Sequence, residues 1–321
     1  MWSFIQPLNL MRYLCVWRVN RALVRLPKYL SAELASVLGT IIAERLPTAE
    51  ARPWQKALNP PTADPLTLNP QGASSVERST FNAQHLTFNV PAWPVEAVLL
   101  TYPGKTSYGP GEVILWELKL LGSALDHGFF LEVILPALEA AGQTNDPRWY
   151  QSNSLWGRFD IQAIYAARGP RWEPVVSAGR LNLRYRAEPL QWADGLTWQF
   201  KPSRPLTQLT WLTPFDLSEA PGDESTAPTL QLLIEALLAR MARLLPGKYI
   251  TPGDVWNLVG PEEQAALWDA LAQTDRTPLR RHNLNAVPKD WPGRWLGQQT
   301  FAPIRPRCQR HLELASILHL G

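Results

Sequence analysis

Between residues 276 and 310 the sequence sets eight basic side chains against one acid, Asp290. The eight are Arg276, Arg280, Arg281, Lys289, Arg294, Arg305, Arg307 and Arg310, with Trp291, Trp295 and Phe301 interleaved. Guanidinium and ammonium groups neutralise phosphates, and aromatic faces stack on unpaired bases. The stretch therefore has the composition of a surface for a nucleic-acid strand. The same composition would equally make a solvated basic surface. His282, beside Arg280 and Arg281, is the histidine best placed for proton transfer, because imidazole titrates near neutrality. The competing reading is a hydrogen-bonded strand histidine. His311, at the start of the expected last helix, is a second candidate to face a ligand.

Other chemistries find no support. There is no Cys-x-x-Cys or His-x-x-x-His, and the acids are dispersed, so neither a metal nor another cofactor is expected. Gly104-Lys105-Thr106 ends like a phosphate loop, but Leu99 stands where its first glycine is required. No Gly-x-Ser-x-Gly elbow occurs. Cys15 and Cys308 lie in apolar surroundings and read as buried free thiols. Arginines 12, 18, 21 and 25 interrupt every apolar run near the N-terminus, and no run reaches the ~20 residues of a membrane span. A cytoplasmic protein without membrane partners is expected. Net charge is +3, which tolerates an anionic partner without demanding one.

The elements that must carry these residues follow from periodicity. Residues 12–19 are aromatic and β-branched and read as a strand, with Ser31 opening a helix to about Leu46. A Pro-rich loop covers 47–80, and 95–101 forms a short strand. Residues 112–121 alternate, with Ile114, Trp116, Leu118 and Leu120 on one face and Glu117 and Lys119 on the other. Asp126 caps a helix to about Ala141, in which Pro136 should bend the run or remove a hydrogen bond. A strand at 157–167 turns Phe159, Ile161, Ala163 and Tyr165 inward, and extended pieces follow near 171–186. Strand, helix, strand, strand, helix, strand is the split βαβ order.

The second half repeats that order without the closing strand. A strand at 206–213 ends at Pro214. Helices follow at 230–245 and 262–272, then strands at 279–287 and 294–304 and a helix at 308–319. The expected fold is α+β, with tandem ferredoxin-like (RRM-like) βαββαβ domains at 1–190 and 205–321, the second lacking its last strand.

Several stretches now resemble CRISPR-associated RAMP proteins. Gly122-Ser123-Ala124-Leu125-Asp126-His127-Gly128 is similar to their strand-to-helix turn, with His127 supporting it, and Pro91-Ala92-Trp93-Pro94 and Pro110-Gly111-Glu112 resemble the lead-in. Leu212-Thr213-Pro214-Phe215-Asp216-Leu217 and the following helix look like the opening of the C-terminal domain of repeat-RNA-processing endoribonucleases. Arg280-Arg281-His282-Asn283 and Gly293-Arg294-Trp295-Leu296-Gly297 fall where that family carries an Arg-rich strand and a glycine-containing turn. The similarity spans roughly 90–320.

The resemblance implies a basic cleft that binds CRISPR repeat RNA, and metal-independent cleavage by a 2′-hydroxyl to give a 2′,3′-cyclic phosphate. Its alternative is a non-catalytic subunit gripping crRNA beside other proteins of an effector complex; an RRM-like protein serving another RNA is a third reading. Many members carry a histidine between first strand and first helix. Here residues 20–31 hold only Arg21, Arg25, Lys28 and Tyr29 as candidates. Lys28 and Tyr29, with His282, are the catalytic candidates. Arg25, Arg280, Arg281, Arg294, Arg305, Arg307, Arg310 and His311 are the RNA-binding ones.

Overall fold

The computed structural model describes residues 3–5, 7–26, 30–45, 95–99, 105–121, 127–195, 206–215, 229–245, 251–275, 282–286 and 295–318. Its long first strand, β1 (Leu10–Val19), alternates as the pleat requires. Met11, Tyr13, Cys15, Trp17 and Val19 enter one core, while Arg12, Leu14, Val16 and Arg18 take the other face. The chain continues through β2 (Val24–Arg25), α1 (Leu30–Arg45), β3 (Val95–Leu99), β4 (Ser107–Tyr108) and β5 (Val113–Leu121). A helical run follows, made of α2 (His127–Phe129), a π-helical turn (Phe130–Ile134) and α3 (Leu135–Gln143). Then come β6 (Phe159–Arg168), β7 (Arg171–Ser177) and β8 (Arg180–Leu181).

These strands form a six-stranded sheet in the order β3-β5-β1-β6-β7-β8, with every neighbouring pair antiparallel. If β1, β3, β5 and β6 are counted first to fourth along the chain, the first four places of the sheet read second, third, first, fourth. Two interleaved strand-helix-strand units give that order. The Pro136 expectation resolves as a π-turn. Proline has no N–H to give the carbonyl four residues back, and the turn at Phe130–Ile134 widens the helix just before Pro136 takes the second position of α3.

In β6 the expected inward set is corrected. Opposite β1, Trp17 pairs with Ile161 but Val16 pairs with Ala163, so Gln162 is an extra residue. Beyond this bulge the alternation inverts. Phe159, Ile164 and Ala166 are in the core, whereas Ala163 and Tyr165 are not among its members.

The second half contributes β9 (Leu206–Phe215), α4 (Leu230–Leu244), α5 (Pro252–Trp256), α6 (Pro261–Asp275), β10 (His282–Ala286), β11 (Trp295–Ile304) and α7 (Pro306–Ile317). Its sheet runs β10-β11-β9, antiparallel throughout, and no fourth strand joins it among the described residues. Pro214 does not end β9. This is an edge strand, and the register shift opposite it, between Trp295 and Gly297, accommodates a residue without an N–H. Gly297 lies in that irregularity within β11 rather than in a turn. Its φ of 131° and the Asn283 carbonyl oxygen against its Cα leave no room for a side chain.

Two buried clusters result, and the whole is an α+β arrangement of helices on antiparallel sheets. Phe4, Ile5 and Leu8, at the start of the chain, pack in the second cluster with Leu230, Leu237 and Leu314. Glu117 and Lys119 take the face of β5 opposite Trp116 and Leu118, as the alternation predicts, yet both are buried. Lys119 reaches the second half, donating to the Ser316 carbonyl oxygen at 3.2 Å, and Arg12 bonds Glu117. Cys15 and Cys308 are buried free thiols.

Candidate nucleic-acid interface

At the end of β1 the chain must turn toward α1, and the turn is held from two sides. The Arg25 amide donates to the Asn153 carbonyl at 2.7 Å, and the Leu26 amide donates to Thr106 at 2.8 Å. Val24 and Arg25 pair with Tyr108 and Ser107. Arg18, Arg21 and Arg25 are exposed along this edge. Of the sequence-predicted residues in the turn, Arg25 is thus fixed at the surface, while Lys28 and Tyr29 lie outside the described residues.

Beside the turn stands a group that sequence reasoning missed. Arg158, almost fully buried, gives Nη1 hydrogen bonds to the carbonyls of Gln151 (2.9 Å) and Ser154 (2.8 Å) and lies 4.5 Å from the centre of the Tyr150 ring. Hydrogen bonds from Arg158 and then Arg21 lower the pKa of the Tyr150 phenol. Gly157, at φ 76°, allows the close approach, because a Cβ there would strike the Thr144 carbonyl and the Tyr150 ring. Two guanidiniums around one oxygen can stabilise a phenolate or hold a phosphate. The nearby acid, Asp160, accepts from Asn20 Nδ2 at 2.8 Å. The residues of this group lie in loops without periodicity, and only the local density of Arg and Tyr marks them.

In the second half, Arg305 and Arg307 are exposed at the start of α7. Arg310 and His311 do not face outward as expected. Arg310 is 9% exposed and pairs with Glu263 of α6. His311 is fully buried, edge-on to Phe4 at 5.6 Å, with Nδ1 2.9 Å from the Arg307 carbonyl. Burial pushes its pKa down to about 4, which makes it neutral. The physical reason is helical spacing: Cys308, His311, Leu312 and Ala315 share the face that α7 turns to the core. His282 opens β10 directly opposite Gln299. Arg280, Arg281 and Arg294 lie outside the described residues. His127 is buried, with Nδ1 3.0 Å from the Tyr13 hydroxyl of β1, and the turn it was expected to support, residues 122–126, lies outside the described residues.

Among the described residues no group of three or more His, Cys, Asp or Glu side chains could hold a metal ion, and no helix is long and apolar enough to cross a membrane. Fold and site together define a mixed α+β chain with basic, aromatic-lined edges. No family model matches the sequence, and no curated protein matches it. Among solved structures, a chain of a Cas6 product complex aligns with 96% of this chain and 89% of its own length, at 14% identity and a TM-score of 0.38.

Proposed function

We propose that the chain binds CRISPR repeat RNA and cuts it without a metal, as two ferredoxin-like domains, the second without its fourth strand. The 2′-hydroxyl beside the scissile phosphate attacks phosphorus, the 5′-oxygen leaves with a proton, and a 2′,3′-cyclic phosphate remains. The observation that carries this reading is the strand order. The first sheet's β3-β5-β1-β6 order and the second sheet's β10-β11-β9 order are each compatible with a split βαβ unit, the second short of one strand among the described residues, and this supports the reading.

In this reading Arg25, Arg280, Arg281, Arg294, Arg305 and Arg307 neutralise phosphates, and Lys28, Tyr29 and His282 share the proton transfers and charge stabilisation. Arg310 and His311 act from beneath, holding α6 against α7 and fixing the backbone at Arg307. A second reading, a non-catalytic crRNA-binding subunit in a complex with other proteins, is favoured by a specific observation. Both histidines whose side chains are described, His127 and His311, are sequestered in cores. Incubation of purified protein with repeat RNA in EDTA separates the two. Site-specific cutting supports the enzyme, a gel shift with intact RNA supports the subunit, and neither result leaves both without support.

A further inference from the structure

Beyond the four strands that the split βαβ order needs, the first sheet carries an additional arm. β7 and β8 are joined by Ala178 and Gly179, both at positive φ (49° and 72°), the backbone of a tight two-residue hairpin. After β8 the chain continues in the same direction alongside β7. The Asn182 amide donates to the Val175 carbonyl at 2.8 Å, Asn182 Nδ2 donates to Pro174, and Asn182 Oδ1 accepts from the Arg184 amide. Tyr185 packs on the first core and is bonded by Gln191, so its neighbours Arg184 and Arg186 stand on the outside.

From Arg168 to Arg186 this arm holds five arginines and one acid, Glu173. Arg168 pairs with Asp194. Arg171, Arg180, Arg184 and Arg186 are exposed and make no ion pair among the described residues. Trp172 is 36% exposed and Leu183 82%. The seven residues of β7 span about 20 Å. Its direction matters. Ser177 lies level with Ala163, and Phe159 with Val19, so the Ala178–Gly179 tip comes within about 10 Å, along the strand axis, of the level where β1 gives way to Arg21.

We propose that this hairpin is a landing track for a single-stranded RNA flank. Arg180, Arg184 and Arg186 take successive phosphates, Trp172 and Leu183 meet bases or riboses, and the strand is led to the turn bearing Arg21 and Arg25. The site rests on the RNA-binding reading and adds to it a second contact region, outside the residues that the sequence singled out. Guanidiniums suit phosphate because their planar fork meets two oxygens at once.

The test is fluorescence anisotropy with a labelled single-stranded RNA carrying the CRISPR repeat and its flank, over a salt series. For Arg180→Gln/Arg184→Gln/Arg186→Gln we expect weaker binding at low salt and a slope of log K against log salt shallower by about 2, since each phosphate contact contributes about 0.7 on single strands. Melting should not change. Arg148→Gln, which removes an arginine already paired with Asp146 and Glu44, should leave both quantities as they were. Wild-type binding with an unaltered slope in the triple variant overturns the track and leaves the RNA-binding reading standing. No RNA binding by the wild type overturns both. If the triple variant keeps its RNA affinity but loses binding to poly-glutamate, the arm belongs to an acidic protein and the proposal fails.

Discussion

Lys119 Nζ donates to the carbonyl oxygen of Ser316 across 197 positions of sequence, tying a strand of the first sheet to the last helix of the second half. Burial lowers the lysine pKa to about 8, against the opposing pull of Glu117 and with a smaller push from Arg12. The unfolded chain, with an ordinary lysine near 10.4, then binds the proton more tightly than the folded one. Stability must rise with pH between about 8 and 10.4 and be penalised by a constant amount below. Denaturant unfolding of wild type and Lys119→Met should therefore diverge, the wild type gaining up to about 3 kcal/mol on the variant from pH 7.5 to 10.5. Parallel pH profiles would show that Lys119 is not held in this environment.

His311 gives the corresponding effect in acid. Its folded pKa of about 4 lies below the ordinary 6.5, so the unfolded state takes up the proton first and stability falls as pH drops from 6.5 toward 4. Relative to His311→Gln, the wild type should lose about 2 kcal/mol between pH 7 and pH 5. An equal loss in both proteins would place the histidine in contact with water.

Tyr150 should titrate earlier than the other tyrosines, because Arg158 and Arg21 stabilise its phenolate. Absorbance titration of tyrosinate should show an early component that vanishes in Tyr150→Phe and moves to higher pH in Arg21→Gln. A wild-type curve without that component would separate the three side chains.

Gly157→Ala should unseat the same cluster. The positive φ and the blocked Cβ position give an expected cost of about 2–3 kcal/mol in thermal or denaturant unfolding, with the early tyrosinate component lost as well. A variant as stable as wild type would mean that the loop has another conformation available.

Much of this was legible beforehand, and the exceptions share a cause. The alternation in β5, the apolar spacing of α1 and α4 and the disruption at Pro136 are local patterns, and the structure follows them. The bulge at Gln162 is set by pairing with β1, which no single strand announces. The burial of Glu117 and Lys119 depends on the second half covering that face. The inward turn of His311 is written in its spacing from Cys308, Leu312 and Ala315, but the flanking Arg307 and Arg310 give the same stretch the composition of a charged surface. Tyr150 and Arg158 had no pattern at all; their meeting is made by the fold and by a glycine at positive φ.

The central claim is that the chain grips CRISPR repeat RNA and cuts it without metal. The most direct measurement incubates purified protein with end-labelled repeat RNA in EDTA and resolves both binding and the termini of any product. The account predicts a salt-sensitive shift and cutting at one position, leaving a 2′,3′-cyclic phosphate. RNA that neither shifts nor breaks at micromolar protein in low salt would contradict it.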